Sequence, residues 1–144
     1  MQELELLSRA TLYCLLLLFT IFTLILCWFQ VNVYKGKAMG NPDGSTDDWH
    51  EQKILFGMAL ADIVIICPLS FVAIVLVLFN SLWGFLILGM LSFWYVWANT
   101  AFTVTSLRFE NPDITFMWLI AFPFGILIGL LYLIWFILHF DMVF

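Results

Sequence analysis

Charge is scarce in this sequence. Only 10% of its 144 residues are Asp, Glu, Lys or Arg, against 65% hydrophobic. A soluble domain carries about 25% charged residues, so the shortage excludes water as the main solvent, and a mean hydropathy of +1.08 agrees. Basic residues are the rarer sign, five against ten acids, and they form no run. That excludes the polybasic patch that binds nucleic acid or anionic headgroups. Cysteine is limited to Cys14, Cys27 and Cys67, all within apolar runs. An odd count with no C-x-x-C pair excludes a disulfide framework, and these residues read as small packing groups.

Histidine occurs twice, at His50 and His139. His50-Glu51 opens no zincin motif, because Ile54 stands where the second histidine belongs. A calcium loop beginning at Asp43 fails too, with Asp48 at the glycine position and Ile54 at the terminal glutamate. The two histidines fall on opposite membrane faces, which disfavours a bis-histidine haem. The sequence calls for no metal and no cofactor. The N-terminus is acidic before Arg9 and no small-residue cleavage site follows its first apolar run, so that run is expected to stay in the protein. Gln2 replaces the glycine that myristoylation needs, and Asp141 the cysteine that prenylation needs.

What the chain does have is long apolar runs. Spans are expected at about 10–29, 54–79, 82–107 and 114–138, each near the ~20 residues that cross a bilayer. The expected fold is all-α: residues 1–144 form one membrane-embedded domain, a compact four-helix bundle with both termini on one side. Residues 30–53 form the main loop, rich in turn formers from Gly36 to Thr46. At its end Asp48 and Glu51 suit the start of the second helix. The link Asn80-Ser81 forces spans two and three into an antiparallel hairpin. Asn-Pro-Asp occurs at 41–43 and 111–113, which turn chemistry explains better than an internal duplication. Lys35, Lys37, Lys53 and Arg108 lie on the loop side against Arg9 on the other, a bias that places the loops in the cytoplasm.

Polar side chains inside the spans fall on faces. Ser92, Tyr95, Asn99, Thr103 and Ser106 form one stripe in span three. Hydrocarbon cannot satisfy such a stripe, so it should face other helices or a cavity. Span one has a milder seam of Tyr13, Leu16, Thr20, Thr23 and Cys27. In span two, Ala59, Asp62, Ile66, Ser70 and Ala73 share a side, and Pro68 should free the Val64 carbonyl and kink the helix. Span four carries Pro123 and Gly125-x-x-x-Gly129, a pair for close contact within the bundle before any homodimer.

Asp62 is the one carboxylate inside a span. Counted from the loop side, Asp62, Asn99, Thr20 and Pro123 each lie about 13 Å deep at ~1.5 Å per residue, in one layer near the midplane. A carboxylate there needs a proton, a cation or water. The leading reading is a small membrane protein that handles a small molecule or ion by transport, conduction or binding. Its ligand-binding residues would be Asp62, Asn99, Thr20, Tyr95, Thr103, Trp94 and Trp97, with Trp118 as a further aromatic wall and His50, Glu51 and Arg108 at the loop-side rim. The alternative is a non-catalytic structural or assembly subunit of a larger membrane complex, since the seven Trp and sixteen Phe offer a wide surface to lipid and helices. An enzyme using His50, Glu51 and Asp62 ranks third, because no spacing brings them to one substrate atom. The expected partners are the lipid bilayer and a homodimer mate or other membrane subunits. Length and span number are similar to those of the small multidrug exporters, but that family carries its carboxylate in the first helix, where this chain has none.

Overall fold

The computed structural model describes residues 6–35, 56–106 and 116–143. Its helices are α1 (Leu6–Tyr34), α2 (Phe56–Leu78), α3 (Leu82–Ser106), α4 (Phe116–Leu138) and the short α5 (Phe140–Val143). Four of them are long and apolar enough to cross a membrane. Each run contains good helix formers, and lipid leaves the backbone no alternative to internal hydrogen bonds.

The helices pack in chain order, α1 on α2, α2 on α3 and α3 on α4, and α4 returns to α1 to close the bundle. The Ser8 hydroxyl meets His139 Nε2 at 2.8 Å, and Trp135 Nε1 donates to the Ser8 carbonyl at 3.3 Å. These contacts tie the start of α1 to the end of α4 and put both ends of the described chain on one face, as expected of an even number of spans.

The α2–α3 corner sits at that same end. The Asn80 N–H bonds to the Val77 carbonyl and the Ser81 N–H to the Leu76 carbonyl, both at 2.8 Å, which closes α2 in a Schellman turn. Asn80 supplies the left-handed residue, at φ 59°. Asparagine tolerates that conformation better than other side chains. The Ser81 carbonyl then accepts from Gly84 and Phe85 and starts α3.

Two helices differ from expectation. α1 does not end at 29 but continues to Tyr34, because nothing from Gln30 to Lys35 breaks a helix and the first turn former is Gly36. In α2 a π-turn spans Asp62–Ile66, where the Cys67 N–H reaches back five residues to Asp62 O. Pro68, which has no N–H to offer Val64, lies two residues beyond this turn. The seam of span one is also rotated. Leu16 and Thr23 of the expected seam face the interior, joined by Leu12, Leu15, Phe19, Phe22 and Gln30, whereas Tyr13 is 50% exposed. Thr20 needs no interior partner, since its hydroxyl bonds to the Leu16 carbonyl at 2.7 Å.

A close seam lies between α3 and α4, where Gly125 and Gly129 work inside the bundle. A Cβ on Gly125 would lie 2.6 Å from both Asn99 Nδ2 and Phe22 Cζ, and one on Gly129 would lie 2.7 Å from the Ser92 carbonyl oxygen. The second clash is with backbone and cannot be relieved by a rotamer. Gly129→Ala should therefore push α4 from α3 and destabilise the protein by about 1–3 kcal/mol, read as a lower midpoint in reversible mixed-micelle unfolding. An unchanged midpoint would show that the two helices do not approach this closely.

Candidate functional site

The continuation of α1 decides where Asp62 finds a partner. Gln30 occupies the last buried turns of α1, and the π-turn presents Asp62 toward it. Gln30 Nε2 donates to Asp62 Oδ2 at 2.5 Å, and both residues are buried, at 8% and 5% exposure. A neutral amide satisfies the carboxylate's hydrogen bonding without cancelling a charge. The described Lys and Arg residues are Lys35, exposed at the end of α1, and Arg9, at the opposite end of the bundle. Asp62 lies six residues past Phe56, about 9 Å along the helix, so the pair is nearer the loop side than the middle.

The middle of the bundle belongs to Tyr95, which is 1% exposed. Its ring is gripped edge-on by Phe19 and Phe22 of α1 and by Trp94, with centroids 5.5, 5.4 and 5.3 Å away. Its hydroxyl lies 3.3 Å from both Thr23 of α1 and Ser70 of α2. Ser70 spends its proton on the Ile66 carbonyl at 2.7 Å, so Tyr95 donates to Ser70 and Thr23 donates to Tyr95. The relay joins three helices and ends on a carbonyl of the π-turn. At 3.3 Å its hydroxyl–hydroxyl links are long and therefore weak.

Of the rest of the α3 stripe, Ser92 and Asn99 are buried, Thr103 is half-buried and the side chain of Ser106 lies outside the described residues. The three described side chains are turned back on their own helix. Ser92 bonds to Leu88 O, Asn99 Nδ2 to Tyr95 O and Thr103 to Asn99 O, each at 2.7 Å. The carboxylate's partner is Gln30 of α1 rather than Asn99, whose amide lies against Gly125 of α4. The glycine opens space there, which draws Asn99 to the α3–α4 seam.

The expected layer is spread along the bundle. Thr20 is ten residues before Gln30 on α1, about 15 Å along the axis. Trp94 is half-buried beside Tyr95, and Trp97 is 62% exposed and points away from the interior. His50, Glu51 and Arg108 lie outside the described residues, as does the side chain of Trp118. No protein-family model, curated protein or solved structure matches this chain.

Gln30 is the residue that sequence reasoning missed. The face of Thr20, Thr23 and Cys27 extends by three residues to Gln30, and that continuation is the signal. The Ser8–His139 contact had none, since its members are 131 positions apart.

The division between ring and hydroxyl at Tyr95 is measurable. Tyr95→Phe removes only the weak links and should cost about 0.5–1.5 kcal/mol. Tyr95→Ala also empties the aromatic grip and should cost about 3–5 kcal/mol. Equal losses in mixed-micelle unfolding would mean that the hydroxyl, not the ring, holds the centre.

Proposed function

We propose that this chain is a small multi-pass membrane protein that handles a small cation, inorganic or organic, at the interior site around Asp62, entered from the loop side. One observation carries the reading: an interior carboxylate whose hydrogen-bond partner is a neutral amide. Burying a carboxylate costs several kcal/mol unless it is compensated, and interior carboxylates in membrane proteins mark ion and substrate paths. A cation would neutralise Asp62, and the Gln30 amide could turn its carbonyl oxygen to the same ion. Ser70 and Tyr95 would form the inner wall. The π-turn fits this role, because such turns recur where a helix must re-aim a functional side chain.

The alternative, an assembly subunit of a larger complex, draws on an outward stripe of α3. Met90, Phe93 and Trp97 are 74%, 68% and 62% exposed at helical spacing. Lipid covers such a stripe equally well, so it is the weaker reading.

The test is thermal unfolding of purified protein in nanodiscs with Na⁺, K⁺ or tetraphenylphosphonium, at matched ionic strength set with a bulky impermeant cation. At least one of these should raise the midpoint by about 2–4 °C per kcal/mol of binding energy, and Asp62→Asn should abolish the rise. No shift in the unsubstituted protein, or the same shift in Asp62→Asn, contradicts the proposal and leaves the subunit reading.

A further inference from the structure

Opposite the Asp62 end, at the face that holds both chain ends, three residues form a second constellation. Ser8 Oγ and His139 Nε2 are 2.8 Å apart. His139 Nδ1 lies 2.8 Å from the Trp135 carbonyl oxygen. A carbonyl can only accept, so Nδ1 carries the proton of the neutral ring, and Nε2 presents its lone pair to the Ser8 hydroxyl. The imidazole is stacked on the Trp135 indole, with centroids 4.6 Å apart and planes 19° from parallel. The indole is itself buried, at 4% exposure, and its N–H bonds to the Ser8 carbonyl. Ring plane, tautomer and hydroxyl partner are all fixed.

This is the relation of a nucleophile, a base and a group that orients the base, with a backbone carbonyl in the orienting role. The pair is accessible, because Ser8 and His139 are only half-buried. Leu7, Ile137 and Leu138 beside it are 76%, 69% and 73% exposed. An acyl chain lying along those residues would bring its carbonyl to the membrane rim, where Ser8 stands.

We propose that Ser8 and His139 form an acyl-transfer site for lipid esters at the terminal face of the bundle, separate from the Asp62 site. Ser8 Oγ bonds to the ester carbonyl carbon as its proton passes to His139 Nε2. Collapse of the tetrahedral adduct breaks the bond to the alcohol oxygen, which leaves with the proton from Nε2. Water, deprotonated by the same nitrogen, then releases the fatty acid and restores Ser8.

The experiment exposes the whole protein in nanodiscs to a long-chain alkyl fluorophosphonate, in which a serine oxygen displaces fluoride from phosphorus. Adducts are located by peptide mass spectrometry. Ser81 lies at the same end of the bundle, has no histidine partner among the described residues and serves as an internal reference. Ser8 should be modified at least ~100-fold faster than Ser81, the scale of general-base assistance. Ser8→Ala should remove the fast adduct. His139→Gln keeps a hydrogen-bonding group near the place of Nε2 but no base, so it should slow labelling at Ser8 about 100-fold with little change in unfolding midpoint. A mere clasp between α1 and α4 would survive that substitution with its labelling rate unaltered. Ser8 labelled no faster than Ser81, or His139→Gln labelled at the unsubstituted rate, overturns the proposal. Should His139→Gln fail to fold, the Ser8 to Ser81 ratio alone decides.

Discussion

Hydrocarbon offers no hydrogen-bond partner, and the interior of this bundle is arranged by that constraint. Each polar side chain in a span must be answered by protein. Ser92, Asn99 and Thr103 are answered by carbonyls of their own helix one turn back, which holds α3 together but reaches no neighbour. Side-chain partners on another helix are left to a few residues. Tyr95 reaches α1 and α2, Gln30 of α1 reaches Asp62 of α2, and Ser8 of α1 reaches His139 after α4. The cross-links thus fall at the two ends and the middle, with aromatic and aliphatic packing between them.

The π-turn connects backbone chemistry to the site. Just before Pro68, which removes one donor, the helix widens over Asp62–Ile66, and the widened turn begins at the carboxylate. The same turn receives the end of the Thr23–Tyr95–Ser70 relay at the Ile66 carbonyl. A change at the carboxylate and a change in the core packing are therefore linked through one segment of α2.

The architecture was legible because it follows from composition and period. Four apolar runs and a two-residue link each have one physical meaning in lipid, and helix number and hairpin follow. The glycine pair pointed to a close contact of span four inside the bundle without naming α3 as its partner. The stripe of Ser92, Tyr95 and Asn99 was legible as a buried face for the same reason. Partners were harder to read. Asp62 was expected to converge with Asn99 because both lie about as far from the loop, but depth does not fix which neighbour a side chain turns to. Gln30 was assigned to the loop because a polar residue ended an apolar run, although no helix breaker follows until Gly36. Trp97 was taken as a wall on the strength of its ring, whereas its position two residues after Tyr95 turns it roughly 200° around the helix. The Ser8–His139 pair joins the two ends of the chain, and no local pattern announces such a contact.

The central claim is that Asp62 is held in the interior by Gln30 across α1 and α2. A double-mutant cycle measures this directly, with Gln30→Leu, Asp62→Leu and the double variant unfolded reversibly in mixed micelles. Each single change strands a buried polar partner, whereas the double change leaves two apolar groups facing each other. The account expects the double variant to be more stable than the sum of the single losses allows, by about 1 kcal/mol or more. Losses that add to within about 0.3 kcal/mol would contradict it, because Gln30 and Asp62 would then not be partners.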